Sequence, residues 1–113
     1  MADATTSVEQ LKQLVRQFVD QRRWRTFHTP KNLATSIMIE AAELCEHFQW
    51  LTPEESLALA GKTTSDSPIA EELADVLSYL LAMANALDID LDEALRLKMI
   101  KNAIKYPAPS SEK

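Results

Sequence analysis

Hydrophobic positions recur at helical spacing along nearly the whole chain. Val8, Leu11, Leu14, Val15, Phe18 and Val19 fall at the three- and four-residue steps that line one helix face. Ser7 precedes the run and Gln10 stands where a capping box needs it, so a first helix is predicted from there. The pattern fades at Gln21-Arg22-Arg23 and gives way to an aromatic loop, Trp24-Arg25-Thr26-Phe27-His28. Thr29-Pro30 is a start signal, with Pro at the first helical position, and predicts a second helix to about Phe48. Thr52-Pro53-Glu54-Glu55 repeats that signal and adds a capping-box Glu. It predicts a short helix to about Ala60, ended by Gly61. Lys62 to Ser67 is a polar loop, expected to be the most mobile internal segment. Ser67-Pro68 opens a long helix to about Leu87, bearing Leu73, Val76, Leu77, Leu80, Leu81 and Met83. Asp90 with Glu93 caps a last helix, which Pro107 must end at or before Tyr106. The stretch from Ala108 to Lys113 reads as a disordered tail.

The second and fourth of these helices are apolar around most of their circumference, and such helices are normally buried on several sides. One small bundle offers little cover, so neighbouring copies are expected to supply the rest. The expected fold is all-α: a four-helix-type bundle with an extra short helix, assembled as an obligate homo-oligomer. Composition agrees, with a single Gly among abundant Leu, Ala and Glu. The 113 residues make one domain, with a helical core over about 7–106 and a flexible tail at 107–113. No apolar run approaches the roughly 20 residues needed to cross a membrane. The polar start, Met1 to Ser7, lacks a signal pattern, so a cytoplasmic location is expected. Cys45 is alone, which excludes an intrachain disulfide framework.

Charge sharpens the picture at one place. The net charge is -5, from 17 acids and 12 bases. Setting aside Glu40, Glu43, Glu46, Glu72 and Asp75 leaves 12 acids against 12 bases, so the whole excess can reside in one cluster. Glu40 and Glu43 stand three apart, as do Glu72 and Asp75, and residues three apart share a helix face. An isolated Glu-x-x-Glu is more often a solvated face. Here both pairs are set among Ile, Leu, Ala and Val, on two apolar helices able to face each other. Acids so placed repel one another and lose hydration, and a divalent cation is the simplest group to hold them. Bundle cores build metal sites in this way. The di-iron version needs Glu-x-x-His, which is absent, and an all-oxygen set favours Mg²⁺, with Mn²⁺ as the second choice. The absence of a basic stripe argues against duplex DNA as a partner.

The remaining chemistry admits two readings at each position. Phe27 and Phe48 read best as core. Trp24 and Trp50 lie at helix ends, where a half-exposed indole can stack on a nucleobase. Tyr79 is either core or part of that aromatic set. His28 is either a loop histidine or a contact to base or phosphate. Lys98, Lys101 and Lys105 share a face that is either solvated or, with Asn102, able to hold a polyphosphate. A non-catalytic helical oligomer, its acids paired with Lys or Arg between subunits, is the rival from another functional class.

Taken in order, these motifs resemble the MazG-like nucleoside triphosphate pyrophosphohydrolases of the all-α nucleotide pyrophosphatase superfamily. The Glu-x-x-Glu-x-x-Glu run at Glu40, Glu43 and Glu46, followed by Glu72-x-x-Asp75, is similar to the family signature. Trp24-x-x-Phe27-His28-x-Pro30-x-Asn32-Leu33, Glu43-Leu44-x-Glu46-x-Phe48-Gln49-Trp50, Glu72-Leu-Ala-Asp75-Val-x-x-Tyr79-Leu and Lys98-Met99-x-x-Asn102-x-x-Lys105-Tyr106-Pro107 look like its dCTP pyrophosphatase branch. His47 departs from that branch, where an apolar residue is usual. The resemblance implies a dimer of dimers and Mg²⁺-dependent cleavage of a nucleoside triphosphate to monophosphate and pyrophosphate. It places metal ligands at Glu40, Glu43, Glu72 and Asp75, and base-pocket positions at Trp24, His28, Trp50 and Tyr79. Phosphate-side positions fall at Lys98, Asn102, Lys105 and Tyr106. Of the catalytic carboxylates Glu40 and Glu43, Glu43 is the expected base for the attacking water. The substrates expected are dCTP or related deoxynucleotides, with dUTP or modified nucleotides as the alternative, in nucleotide-pool housecleaning.

Overall fold

The computed structural model describes residues 2–110. It contains a 3-10 turn at Ala2–Ala4 and five helices: α1 (Val8–Gln21), α2 (Pro30–Glu46), α3 (Pro53–Leu57), α4 (Pro68–Leu87) and α5 (Leu91–Lys105). No strand occurs among the described residues.

All five helices start where the capping pattern places them. Ser7 Oγ accepts from Gln10 N at 3.1 Å while Gln10 Oε1 accepts from Ser7 N at 2.7 Å, a reciprocal capping box. Thr52 and Glu55 repeat it at 3.1 and 2.8 Å. Thr29, Ser67 and Asp90 each accept from the backbone N–H three residues on, at 3.2, 3.2 and 2.8 Å. A cap of this kind contributes about 1 kcal/mol to its helix.

The helix ends are less regular. α2 stops at Glu46, two residues before Phe48, because His47 N and Phe48 N bond to carbonyls three back, at 3.2 and 3.0 Å, and tighten the chain into turns. α3 stops at Leu57 rather than Ala60. Leu59, Ala60 and Lys62 continue as successive three-residue turns. Gly61 takes its left-handed φ of 74° inside that run, so it shapes the loop and does not cap the helix. α4 ends at Leu87 as expected, on Asp88 in the left-handed conformation (φ 56°), which Asp tolerates better than most residues. Residues 107–110 carry no regular structure, and 111–113 of the expected disordered tail lie outside the described residues.

α4 is the organising element: α2 packs along it most extensively, and α1 packs on it as well. Leu33 of α2, Val19 of α1, and Leu81, Ala82 and Ala84 of α4 form the buried apolar core. That core is small and, as expected of a single small bundle, leaves much of the apolar surface of α2 and α4 uncovered. Met38, Ile39, Leu73, Leu77 and Leu80 are all exposed in the single chain. Phe27, expected in the core, is 68% exposed; its backbone is engaged, the N–H donating to the Trp24 carbonyl at 2.9 Å and the carbonyl accepting from Asn32 Nδ2 at 3.1 Å. After the turn at Asp88, α5 packs extensively on none of the other helices. The radius of gyration is accordingly 17.1 Å, against about 13 Å for a compact domain of 100 residues. Among the described residues no helix is long and apolar enough to cross a membrane.

Candidate active site

The packing of α2 on α4 brings the two carboxylate pairs together. Glu40 and Glu43 rise from one turn of α2 and Glu72 from the first part of α4. Each offers a carboxylate oxygen, and these oxygens lie within 4.8 Å of one another. All three side chains are half-buried, while Asp75, one turn along α4, is exposed. Asp75 stands outside the closest triad, yet its charge is felt at Glu40. Glu46 is exposed at the end of α2 and is not part of the triad, and His47 is the half-buried residue that follows.

The electrostatics are those of a site short of positive charge. Glu40 is pushed up from 4.5 to about 7, first by its close approach to Glu43, with which it would share a proton. Partial burial, a like contact with Glu72 and the charges of Glu43 and Asp75 add to this. Glu40 Oε2 and Glu72 Oε2 are shut off from solvent and have no hydrogen-bond partner. The ion pairs among the described residues, Arg25–Asp20 and Arg96–Asp92, both lie elsewhere. Orphaned carboxylate oxygens converging without a lysine or arginine fit a hard divalent cation, whose ligands are oxygens of this kind.

Beside the acids lies a cavity of about 520 Å³, between α1, the loop before α2, and α4. Asp75, Ser78 and Tyr79 line its α4 side, and Asp75 thereby joins the cavity to the carboxylates. An aromatic series runs through it. Phe18 meets Trp24 edge-on at 5.5 Å, Trp24 lies 6.1 Å from His28, and His28 lies 6.2 Å from Tyr79, measured between ring centres. Trp24 is 42% exposed, so its indole is held at an edge and still accessible. His28 Nδ1 is buried without a partner. Three of the four expected base-pocket residues, Trp24, His28 and Tyr79, thus share one cavity.

The fourth does not join them within one chain. Trp50 follows α2, is 87% exposed and is not a wall of this cavity. Lys98, Asn102, Lys105 and Tyr106 belong to α5 and its end, away from the α2–α4 pair. Lys105 Nζ lies 5.3 Å over the Tyr106 ring, and Asn102 is half-buried. Sequence reasoning placed Leu14, Val15 and Phe18 in a core stripe, and Ser78 and Ala82 nowhere in particular, yet all five line the cavity. The available signal was the width of the α1 stripe, which is more apolar than one contact with α4 can use.

A family model, the MazG-like family, matches residues 35–113. The chain is 37% identical over 101 residues to dCTP pyrophosphatase 1 from Bos taurus, covering 89% of this chain and 60% of that protein. The Homo sapiens protein of the same name is 37% identical over 102 residues, covering 90% and 60%. The chain therefore spans about 60% of the length of these curated relatives. The crystal structure of a pyrophosphatase from Archaeoglobus fulgidus has a TM-score of 0.79 at 44% identity, over 88% of this chain and 92% of the other.

Proposed function

This chain belongs to the MazG-like family, and from that premise we propose that it is a Mg²⁺-dependent nucleoside triphosphate pyrophosphohydrolase, cleaving a (d)NTP to (d)NMP and pyrophosphate. The observation that carries this reading is the joining, through Asp75, of a convergent carboxylate triad to an aromatic cavity of nucleoside size. The name shared by the curated relatives makes dCTP or a related deoxynucleotide the first substrate to test. A free nucleotide pool as substrate fits a cytoplasmic site of action.

Glu40, Glu43, Glu72 and Asp75 would hold the cation. When bound, Mg²⁺ supplies positive charge for the phosphate oxygens and lowers the pKa of a water. The remaining work belongs to the chain's own side chains. Trp24 and Tyr79 bind the base by stacking and apolar contact, and exclude water from around it. His28 Nδ1 gains from the substrate the hydrogen-bond partner it lacks. Glu43, beside Glu40, orients the attacking water and accepts its proton as the water closes in line on the α-phosphorus.

The leaving pyrophosphate needs positive charge, which Lys98 and Lys105 can provide, with Asn102 and Tyr106 as further donors. α5 spans about 20 Å at the helical rise of 1.5 Å per residue and packs extensively on neither α2 nor α4. A second copy of the chain is the natural source of these groups, and of Trp50. The exposed Met38, Ile39, Leu73, Leu77 and Leu80 provide the apolar surface for such association, in the homotetramer expected as a dimer of dimers.

The test is a triphosphate panel (dCTP, dUTP, dTTP, ATP and 5-substituted deoxycytidine triphosphates) with MgCl2 or MnCl2 and the purified protein. Pyrophosphate and monophosphate are the expected products. Release of single phosphates, or no hydrolysis of any member, would overturn the reading.

A further inference from the structure

The nucleoside cavity has a thin back wall. Val15 and Val19 of α1, His28, and Ala82 of α4 border it on one side. The same four residues border a second concavity, of about 550 Å³, on the other. That second space touches none of the clustered carboxylates; it is lined instead by Arg16 and Asn85. These two residues are bonded to each other. Arg16 Nη2 donates to Asn85 Oδ1 at 2.8 Å, and Asn85 Nδ2 donates to the Lys12 carbonyl at 3.0 Å. Lys12, itself buried, extends the link by donating from Nζ to the Ile89 carbonyl at 2.9 Å.

Asn85 therefore commits both ends of its amide to α1, one as donor and one as acceptor. An amide held at both ends fixes rotation and axial position together, which apolar contacts between Val15, Val19 and Ala82 cannot do. It lies one turn beyond Ala82, and its partner Arg16 is next to Val15, so the clamp is anchored directly behind the shared wall. The opposite face of α1 carries Leu14 and Phe18 into the nucleoside cavity, and Phe18 in turn meets Trp24 edge-on. We infer that Asn85 is a positioning residue: through Arg16 and Lys12 it sets the register of α1 on α4, and with it the fit of the nucleoside.

The inference rests on the pyrophosphohydrolase reading and adds that affinity and base discrimination depend on a clamp that never touches the substrate. Steady-state kinetics of pyrophosphate release from dCTP, dTTP and ATP would test it, on the wild type, Asn85→Ala, Asn85→Asp and Arg16→Met. For Asn85→Ala the expected result is a rise of about tenfold in KM for the preferred triphosphate, the size of one to two lost hydrogen bonds. The ratio of kcat/KM values among the three substrates should narrow, kcat should hold within about twofold, and the stabilisation by MgCl2 alone should not change. Asn85→Asp keeps the acceptor for Arg16 and should lie between the two. Arg16→Met should change KM in the same direction, which keeps the test open if Asn85→Ala does not fold. Unchanged KM and selectivity, or a loss confined to kcat, in variants of an active wild type would overturn the clamp's role. An inactive wild type would overturn the reading beneath it and the inference with it.

Discussion

Glu40→Gln tests the electrostatics of the site without relying on activity. In the metal-free protein the Glu40 carboxyl is raised from 4.5 to about 7, led by its contact with Glu43. The folded state thus holds this proton more tightly than the unfolded chain. The associated stability is fully present below about pH 4.5 and is lost as the pH rises toward 7. At 1.36 kcal/mol per pH unit the shift has a ceiling of about 3 kcal/mol, and water around a half-buried carboxylate reduces this to roughly 1 kcal/mol. Gln is neutral throughout. At pH 8 the metal-free variant should therefore melt about 4 °C above the metal-free wild type, the equivalent of that energy for a domain of this size. The difference should vanish near pH 4.5. Added MgCl2 should reverse the order at pH 8, since a ligand that binds only the folded state stabilises it, and Gln offers that ion one charge fewer. Circular dichroism melts at fixed protein concentration, from pH 4.5 to 8, with EDTA or MgCl2, read all of this. Parallel wild-type and variant curves across that range would refute the argument that the acids are crowded, and with it the electrostatic case for a cation.

Glu43→Gln should reduce pyrophosphate release by at least about a hundredfold, the usual scale for loss of a general base. Its helical circular dichroism should be retained, and undiminished turnover would remove Glu43 from that role. Trp24→Ala should raise KM by roughly tenfold, within the range for one base–aromatic stack, while leaving the MgCl2-dependent melting shift intact. An equal effect on both would mean that Trp24 supports the fold rather than the base. Leu33→Ala should cost about 2–5 kcal/mol, as expected for a cavity at a side chain with almost no exposure. A thermal midpoint within 2 °C or so of wild type would contradict the core assignment, given the shift per kcal/mol expected at this size.

The sequence by itself determined the local structure. Ser7, Thr29, Thr52, Ser67 and Asp90 each satisfy a backbone donor three residues ahead, an interaction complete within one turn. Helix starts were therefore legible without any tertiary information. Helix ends were legible in part: α1, α4 and α5 stop where the fading pattern and Pro107 put them, but the turns after Glu46 and Leu57 have no side-chain signature, and the left-handed residue after α4 is Asp88 rather than Gly. The three-residue spacing likewise put Glu40 with Glu43, and Glu72 with Asp75, on their helix faces.

Only the tertiary structure decided which faces meet. It set Glu72 against Glu40 and Glu43, left Asp75 exposed at the cavity's edge, and gathered Trp24, His28 and Tyr79 around one space. It also turned Phe18, indistinguishable in sequence from any core residue, into a wall of that space. And it left α5, with Lys98, Asn102 and Lys105 and with Tyr106 at its end, without extensive packing on the other helices. The physical reason is range. Capping and helical periodicity act over three or four residues, whereas the site depends on the angle and register at which α1 and α2 settle on α4. Those follow from side-chain packing and from the Arg16–Asn85–Lys12 bonds, between residues 69 to 77 positions apart.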